Sequence, residues 1–243
     1  MLVQVAFNGP PTPFGLRVRT YPEVTNLAEL PEPVDDRNRD NWERPVALQG
    51  AGTPIIGGAS FESAPELTPG TTYSDTLRPQ EQLIYKVKVG FGQSPRMTAR
   101  IESDAVATRQ LSRLGVSVQS VTFSPLGREL DVTSNSATGV RYHGRYSGKR
   151  PVTLTQAHPP VHFRNVEASR SNINQNALAG YYYFTVEMGG VDKDEERFAA
   201  PVRFAVAVDG QEAGCRSTPV RCWRRDAVSL PERTEETRVE RRR

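Results

Sequence analysis

A chain of 243 residues with 37% hydrophobic and 8% aromatic side chains, 19 Gly and 19 Pro has the make-up of a turn-rich fold, and no stretch reaches the roughly 20 apolar residues that a bilayer-crossing helix needs. The formal charge of +3 points towards polyanions, but nine Arg against five acids lie in residues 215–243, leaving −1 on residues 1–214, so no nucleic-acid partner is expected of the body. Only Cys215 and Cys222 are present, both in that tail, which excludes thiol chemistry and Cys-based metal sites from the body.

The start, Met1-Leu2-Val3-Gln4-Val5, carries no basic region, apolar stretch or small-residue cleavage site, so no signal peptide is expected and a role outside the cell would make this a processed or truncated piece. Residues 2 to 7 and 14 to 21 alternate apolar with polar around the turn chemistry of Asn8-Gly9-Pro10-Pro11 and read as a β-hairpin. A lone hairpin is marginal in water, so it either joins a later sheet or is the remnant of a preceding domain, and the remnant reading is preferred. From Pro22 to Gly52 the periodicity fades through Pro31-Glu32-Pro33 and the mixed-charge run Asp35 to Asn41, which reads as a linker or long surface loop.

After Gly57-Gly58 come short candidate strands at 72–77, 82–89, 96–102, 116–123, 129–133, 138–142, 151–155, 161–166, 180–188 and 201–208, with Gly, Pro, Asn or Asp in most gaps. Leu83, Tyr85, Val87 and Val89 share one face of a strand and Ile84, Lys86 and Lys88 the other, the period of a half-buried antiparallel strand. The segments 181–186 and 202–208 have the same character, and the core is expected to draw on these three. The best helix candidate is 104–114, where Val106, Gln110 and Leu114 make a mixed stripe. The predicted fold is therefore all-β, an antiparallel β-sandwich or jelly-roll over 53–210. The hairpin and linker of 1–52 precede it, and a disordered Arg/Glu-rich tail over 211–243 follows.

Within that region the run Gly57-Gly58-Ala59-Ser60-Phe61-Glu62-Ser63-Ala64-Pro65-Glu66-Leu67, then Pro69-Gly70, Tyr73 to Leu77, Tyr85-Lys86-Val87 and Gly90-Phe91-Gly92-Gln93 resembles bacterial pre-peptidase C-terminal domains. The version it resembles occurs in actinobacterial surface proteins that also carry a von Willebrand factor A domain. The later Gly180-Tyr181-Tyr182-Tyr183 matches the closing Gly-Tyr-Tyr strand, so the resemblance spans about residues 57 to 208. It implies a non-catalytic, secreted or cell-surface module beside a functional domain or envelope protein. The metal-dependent adhesion motif Asp-x-Ser-x-Ser is absent: Asp131-Val132-Thr133-Ser134-Asn135 fails at both serine positions.

The residues themselves offer little chemistry. There is no Gly-x-Ser-x-Gly elbow and no recognisable Ser, His and acid signature, so the chain is expected not to be an enzyme. His158-Pro159-Pro160-Val161-His162 has a four-residue ligand spacing, but the prolines force an extended path that separates the two rings by roughly 13 Å, too far to share one ion. Both are read as partly exposed strand-edge histidines.

Two candidate binding features remain. Asp192, Asp194 and Glu195 crowd a turn after Gly189-Gly190 and offer hard oxygens to Ca²⁺ as a cofactor, although the ordered spacing of an EF-hand loop is missing. Among the aromatics Tyr142, Tyr146 and Tyr181 to Phe184, alternate strand residues face opposite ways; Tyr182 with Phe184 is taken as the outward, carbohydrate-stacking pair. The expected function is a structural or protein-interaction module outside the cytoplasm, with a carbohydrate- or calcium-binding module as the alternative.

Overall fold

The computed structural model describes residues 30–111, 114–132, 135, 137–190 and 198–212. The hairpin expected at 2–21, the carboxylate turn with Asp192, Asp194 and Glu195, both cysteines and residues 213–243 of the Arg/Glu-rich tail lie outside the described residues.

Among the described residues two sheets face each other. The first has the order β1 (Thr53–Pro54), β2 (Thr72–Leu77), β10 (Ala200–Asp209), β4 (Ser94–Ile101) and β8 (Val152–Ala157); the second runs β3 (Gln82–Val89), β9 (Gly180–Met188), β5 (Val116–Gln119) and β7 (His143–Tyr146), with β6 (Thr122–Phe123) added to β9. All these pairings are antiparallel except the short β1–β2 ladder. The architecture is the all-β sandwich that the sequence pattern predicts.

Period-2 alternation builds the core. From one sheet Leu77, Met97, Ile101, Leu154, Val202, Phe204 and Val206 point inward; from the other Leu83, Tyr85, Val87, Tyr182, Phe184 and Val186 meet them, all essentially inaccessible. Each such side chain contributes about 1.5–3 kcal/mol by leaving water. Tyr85 packs on Phe204 with ring centroids 4.2 Å apart. Polar ties cross the gap where strands meet the rim. The Tyr85 hydroxyl donates to Asp75 Oδ2 at 2.8 Å, and that oxygen also accepts the Gly57 N–H. Burial, with the Asp75 charge and hydrogen bond behind it, pushes the Tyr85 phenol far above its ordinary range. On the other flank Gln156 reaches across to Thr122 Oγ1 at 3.2 Å and to the Ser120 carbonyl.

Four expectations change. Residues 161–166 are not a strand: after two prolines without N–H groups the chain turns into a 3-10 helix, Phe163–Glu167, anchored by Asn165 Nδ2 on the Pro160 and Asn176 carbonyls. The stretches 129–133 and 138–142 supply only the isolated bridges Phe123–Glu129 and Asn135–Val140, while the strand forms at His143–Tyr146, where polar outward residues and Gly144 hide the alternation. The 104–114 helix shortens to α1 (Ala105–Gln110), capped by Asp104 Oδ1, which accepts the Ala107 N–H at 2.7 Å. A further turn, α2 (Ser171–Asn174), lies between the 3-10 helix and β9.

The fourth change concerns the expected linker. Residues 42–52 are strapped over the outer face of the β2–β10–β4 sheet. The Val46 N–H donates to Thr98 Oγ1 and the Gln49 N–H to Thr72 Oγ1, both at 2.8 Å, and Arg203 Nη1 reaches the Gly50 carbonyl at 2.7 Å. Arg96, only 5% exposed, donates to the Arg44 and Pro45 carbonyls and pairs with Asp209. Trp42 is buried at 3%. Thr98→Val removes one anchor at constant shape and is expected to cost about 1–2 kcal/mol. Hydrogen exchange at the Val46 amide should quicken by more than exchange at the core strands.

Candidate binding face

The site is built on the outer face of β3 and β9. Their register sets Phe184 opposite Tyr85 and Tyr182 opposite Val87, and sets Tyr183 opposite Lys86 and Tyr181 opposite Lys88. Because Tyr85 and Val87 point into the sandwich, so do Tyr182 and Phe184, each fully buried; the Tyr182 hydroxyl is spent on the Leu178 carbonyl at 3.0 Å. This corrects the choice of Tyr182 and Phe184 as ligand-facing residues: the outward pair is Tyr181 and Tyr183. With an aromatic at every position from 181 to 184, the strand alone shows no contrast between its faces, and only the partner strand sets the phase.

The loop before β2 completes the face. Gly58 pairs with Ile84 and Glu66 with Lys86, so the segment covers the free edge of β3 and folds Phe61 over the sheet. Phe61 lies 4.6 Å from the Tyr183 ring and 5.2 Å from Phe123, edge to face with the latter. Ala64, Ile84 and Tyr183 are buried beneath; Phe61, Phe123 and Tyr181 are half-buried around them. The rim is polar. The Tyr181 hydroxyl donates to Glu66 Oε2 at 2.9 Å, and Lys86 Nζ sits 5.5 Å from the centre of the Tyr181 ring. Leu126, in the turn that follows Phe123, is 52% exposed. Towards the other end of the same face of β9, Glu187 accepts from Gln119 Nε2 at 2.7 Å and from Thr185 Oγ1 at 3.1 Å.

An apolar centre of aromatics inside a ring of charged and amide groups has the composition of a docking patch. Nothing in the sequence set Phe61 beside Phe123, since one lies in the loop before β2 and the other at the end of the 116–123 strand candidate.

The histidines part company. His162 is half-exposed, its Nδ1 2.9 Å from the Glu32 carbonyl. His158 is not at an exposed strand edge but wholly buried, its ring 6.4 Å from Phe184, with no hydrogen-bond partner on either nitrogen. Burial alone drives it down to about 3. Among the described residues no group of three or more His, Cys, Asp and Glu is placed to hold a metal, and no helix is long and apolar enough to cross a membrane.

No protein-family model and no curated protein matches the sequence. Among solved structures, the pre-peptidase C-terminal domain of a Bacillus anthracis collagenase is 12% identical, with a TM-score of 0.29 over 59% of this chain and 93% of that one. The PliG periplasmic inhibitor of g-type lysozyme from Salmonella Typhimurium is 11% identical, with a TM-score of 0.29 over 60% of this chain and 99% of that one. CorA, a surface-associated copper-binding protein of Methylomicrobium album BG8, is 11% identical, with a TM-score of 0.32 over 65% of this chain and all of that one. At these TM-scores the likenesses say nothing about function.

Proposed function

We propose that this chain is a non-catalytic interaction module of a secreted or cell-surface protein, and that it docks a protein partner through the aromatic face of β3 and β9. The observation that supports it is the half-buried cluster of Phe61, Phe123 and Tyr181 over Tyr183, rimmed by Glu66 and Lys86. A pre-peptidase-like sandwich beside a von Willebrand factor A domain of an actinobacterial surface protein is the setting this reading adopts, on the motifs of residues 57 to 93. The adjoining domain or a neighbouring envelope protein is then the natural partner.

The test is saturable binding of the purified chain to a sedimentable envelope fraction and to the recombinant adjoining domain. Phe61→Ser combined with Tyr181→Ser is expected to weaken binding about fivefold or more while the chain stays folded at the assay temperature, the loss typical of an aromatic anchor. Equal binding by both proteins overturns the docking face. Carbohydrate binding draws on the same half-exposed rings, and the same substitutions tested on cell-wall glycans report on it. A Ca²⁺-induced thermal shift abolished by Asp194→Ala would place a cation at the acidic turn instead.

A further inference from the structure

The corner where the chain passes from β7 to β8 joins one sheet to the other at the side of the sandwich, away from the aromatic face. Between these two edge strands lies a cleft of about 410 Å³ lined by Arg141, Arg145, Ser147, Lys149, Arg150 and Thr153. Its charge is entirely of one sign. Residues 141–153 carry four Lys and Arg and no acid, on a body whose formal charge over residues 1–214 is −1. No carboxylate lines the cleft, and among the described residues Arg141, Lys149 and Arg150 have no ion-pair partner. Four cations converging on one concavity repel one another, and a bound anion relieves that repulsion.

The corner is held rigid from below. Gly148 sits at φ +76° against α1, where a Cβ would come within 2.3 Å of the Thr108 nitrogen, and its carbonyl accepts the Asp104 N–H at 2.9 Å. The Thr155 N–H donates to the Arg141 carbonyl at 2.6 Å, which closes the far end. Arg145 is positioned by the Leu114 carbonyl at 2.5 Å from Nε and the Gly115 carbonyl at 2.8 Å from Nη2. The basic side chains thus project from a backbone already fixed in place, the arrangement that lowers the cost of binding.

We propose that this cleft is an anion-binding site for a phosphate or sulfate ester carried on a saccharide. Guanidinium forks match the geometry of such oxyanions, and Ser147 and Thr153 supply hydroxyl donors for the remaining oxygens. The volume suits one sugar-sized group. Nucleic acid is disfavoured because no aromatic side chain lines the cleft to stack a base. This site is independent of the aromatic face and of the docking reading built on it.

The experiment is a ¹⁵N-labelled titration of the whole chain with inorganic phosphate, a sulfated tetrasaccharide, a phosphorylated disaccharide and an oligoglutamate peptide. Amide shifts at Arg145, Lys149 and Thr153 localise binding, which matters because the tail carries nine arginines of its own. The proposal expects either esterified saccharide to shift these amides at lower concentration than inorganic phosphate. The sulfated and phosphorylated arms tell the two esters apart. The exposed-residue variant Arg141→Gln/Lys149→Gln/Arg150→Gln should lose about tenfold or more in affinity while keeping its melting temperature. Phe61→Ser should bind the ester as the parent does. Shifts confined to residues 215–243, a response to oligoglutamate but not to the esters, or equal affinity in the triple variant would each overturn the proposal.

Discussion

Replacing Phe184 with alanine should cost about 3–5 kcal/mol of folding free energy, a large share of the roughly 5–15 kcal/mol that keeps a typical domain folded. The ring is fully buried on the inner face of β9. Its cross-strand partner Tyr85 packs on Phe204 of the opposite sheet. Truncation removes transfer free energy and leaves a cavity that close-packed neighbours fill only in part. Tyr181→Ala, three positions away on the outer face, gives up one hydrogen bond to Glu66 and a partly solvated cation–π contact, and should stay within about 1 kcal/mol. Urea unfolding of the two variants side by side measures the difference. A benign Phe184→Ala with a damaging Tyr181→Ala would mean that β9 presents the opposite face to the core, and the candidate binding face would fall with it.

Acid should weaken the fold through one buried side chain, starting well above the pH at which carboxylates protonate. His158 is neutral in the folded state because burial drives it down to about 3, whereas in the unfolded chain it takes a proton below its ordinary value of 6.5. The unfolded state therefore binds more protons than the folded one between these values, and stability falls as pH falls. The contribution is fully present above pH 6.5 and drains away as pH drops towards 3, at about 1.4 kcal/mol per pH unit. Between pH 7 and 5 the loss should be about 2 kcal/mol. The carboxyls of Glu102 and Glu167 act in a lower window. Burial opposes ionisation of Glu102, but hydrogen bonds from Arg203 and Arg100 hold it below its usual value; Arg164 does the same for Glu167. Their contributions are present above about 4.5 and are lost below it. His158→Met should therefore flatten the urea midpoint between pH 7 and 5 while leaving the steeper loss at lower pH. Parallel slopes in the parent and the variant would show that His158 is not the group responsible.

An unpartnered imidazole in the core is unusual, and its place explains how it is tolerated. The backbone around it is satisfied: the His158 N–H donates to the Pro95 carbonyl at 3.1 Å, and its own carbonyl accepts Ser94 Oγ at 2.5 Å. The ring itself lies beside Phe184, where as a neutral group it packs like an aromatic. The cost of two unmade hydrogen bonds is offset by contacts that an exposed ring would not make.

Alternation along 82–89 and 202–208, with the run of aromatic and β-branched residues at 181–186, was enough to determine an all-β sandwich and to name the strands that form its centre, because burying one face of a strand writes a period of two into its side chains. Where that contrast is missing, tertiary structure decided. Four consecutive aromatics left the facing of β9 to its register with β3, which moved the exposed pair from Tyr182 and Phe184 to Tyr181 and Tyr183. Polar residues and Gly144 concealed β7, and Pro159-Pro160 turned an apolar stretch into a 3-10 helix. The strap over 42–52 has no periodicity to read, since its hold comes from backbone groups meeting Thr72, Thr98, Arg96 and Arg203 on distant strands. The two candidate surfaces differ in origin. Phe61 reaches Tyr183 only once the Gly58–Ile84 and Glu66–Lys86 bridges have laid its loop over β3, whereas the basic run from Arg141 to Arg150 is local in the sequence and becomes a cleft because the chain turns there from one sheet to the other.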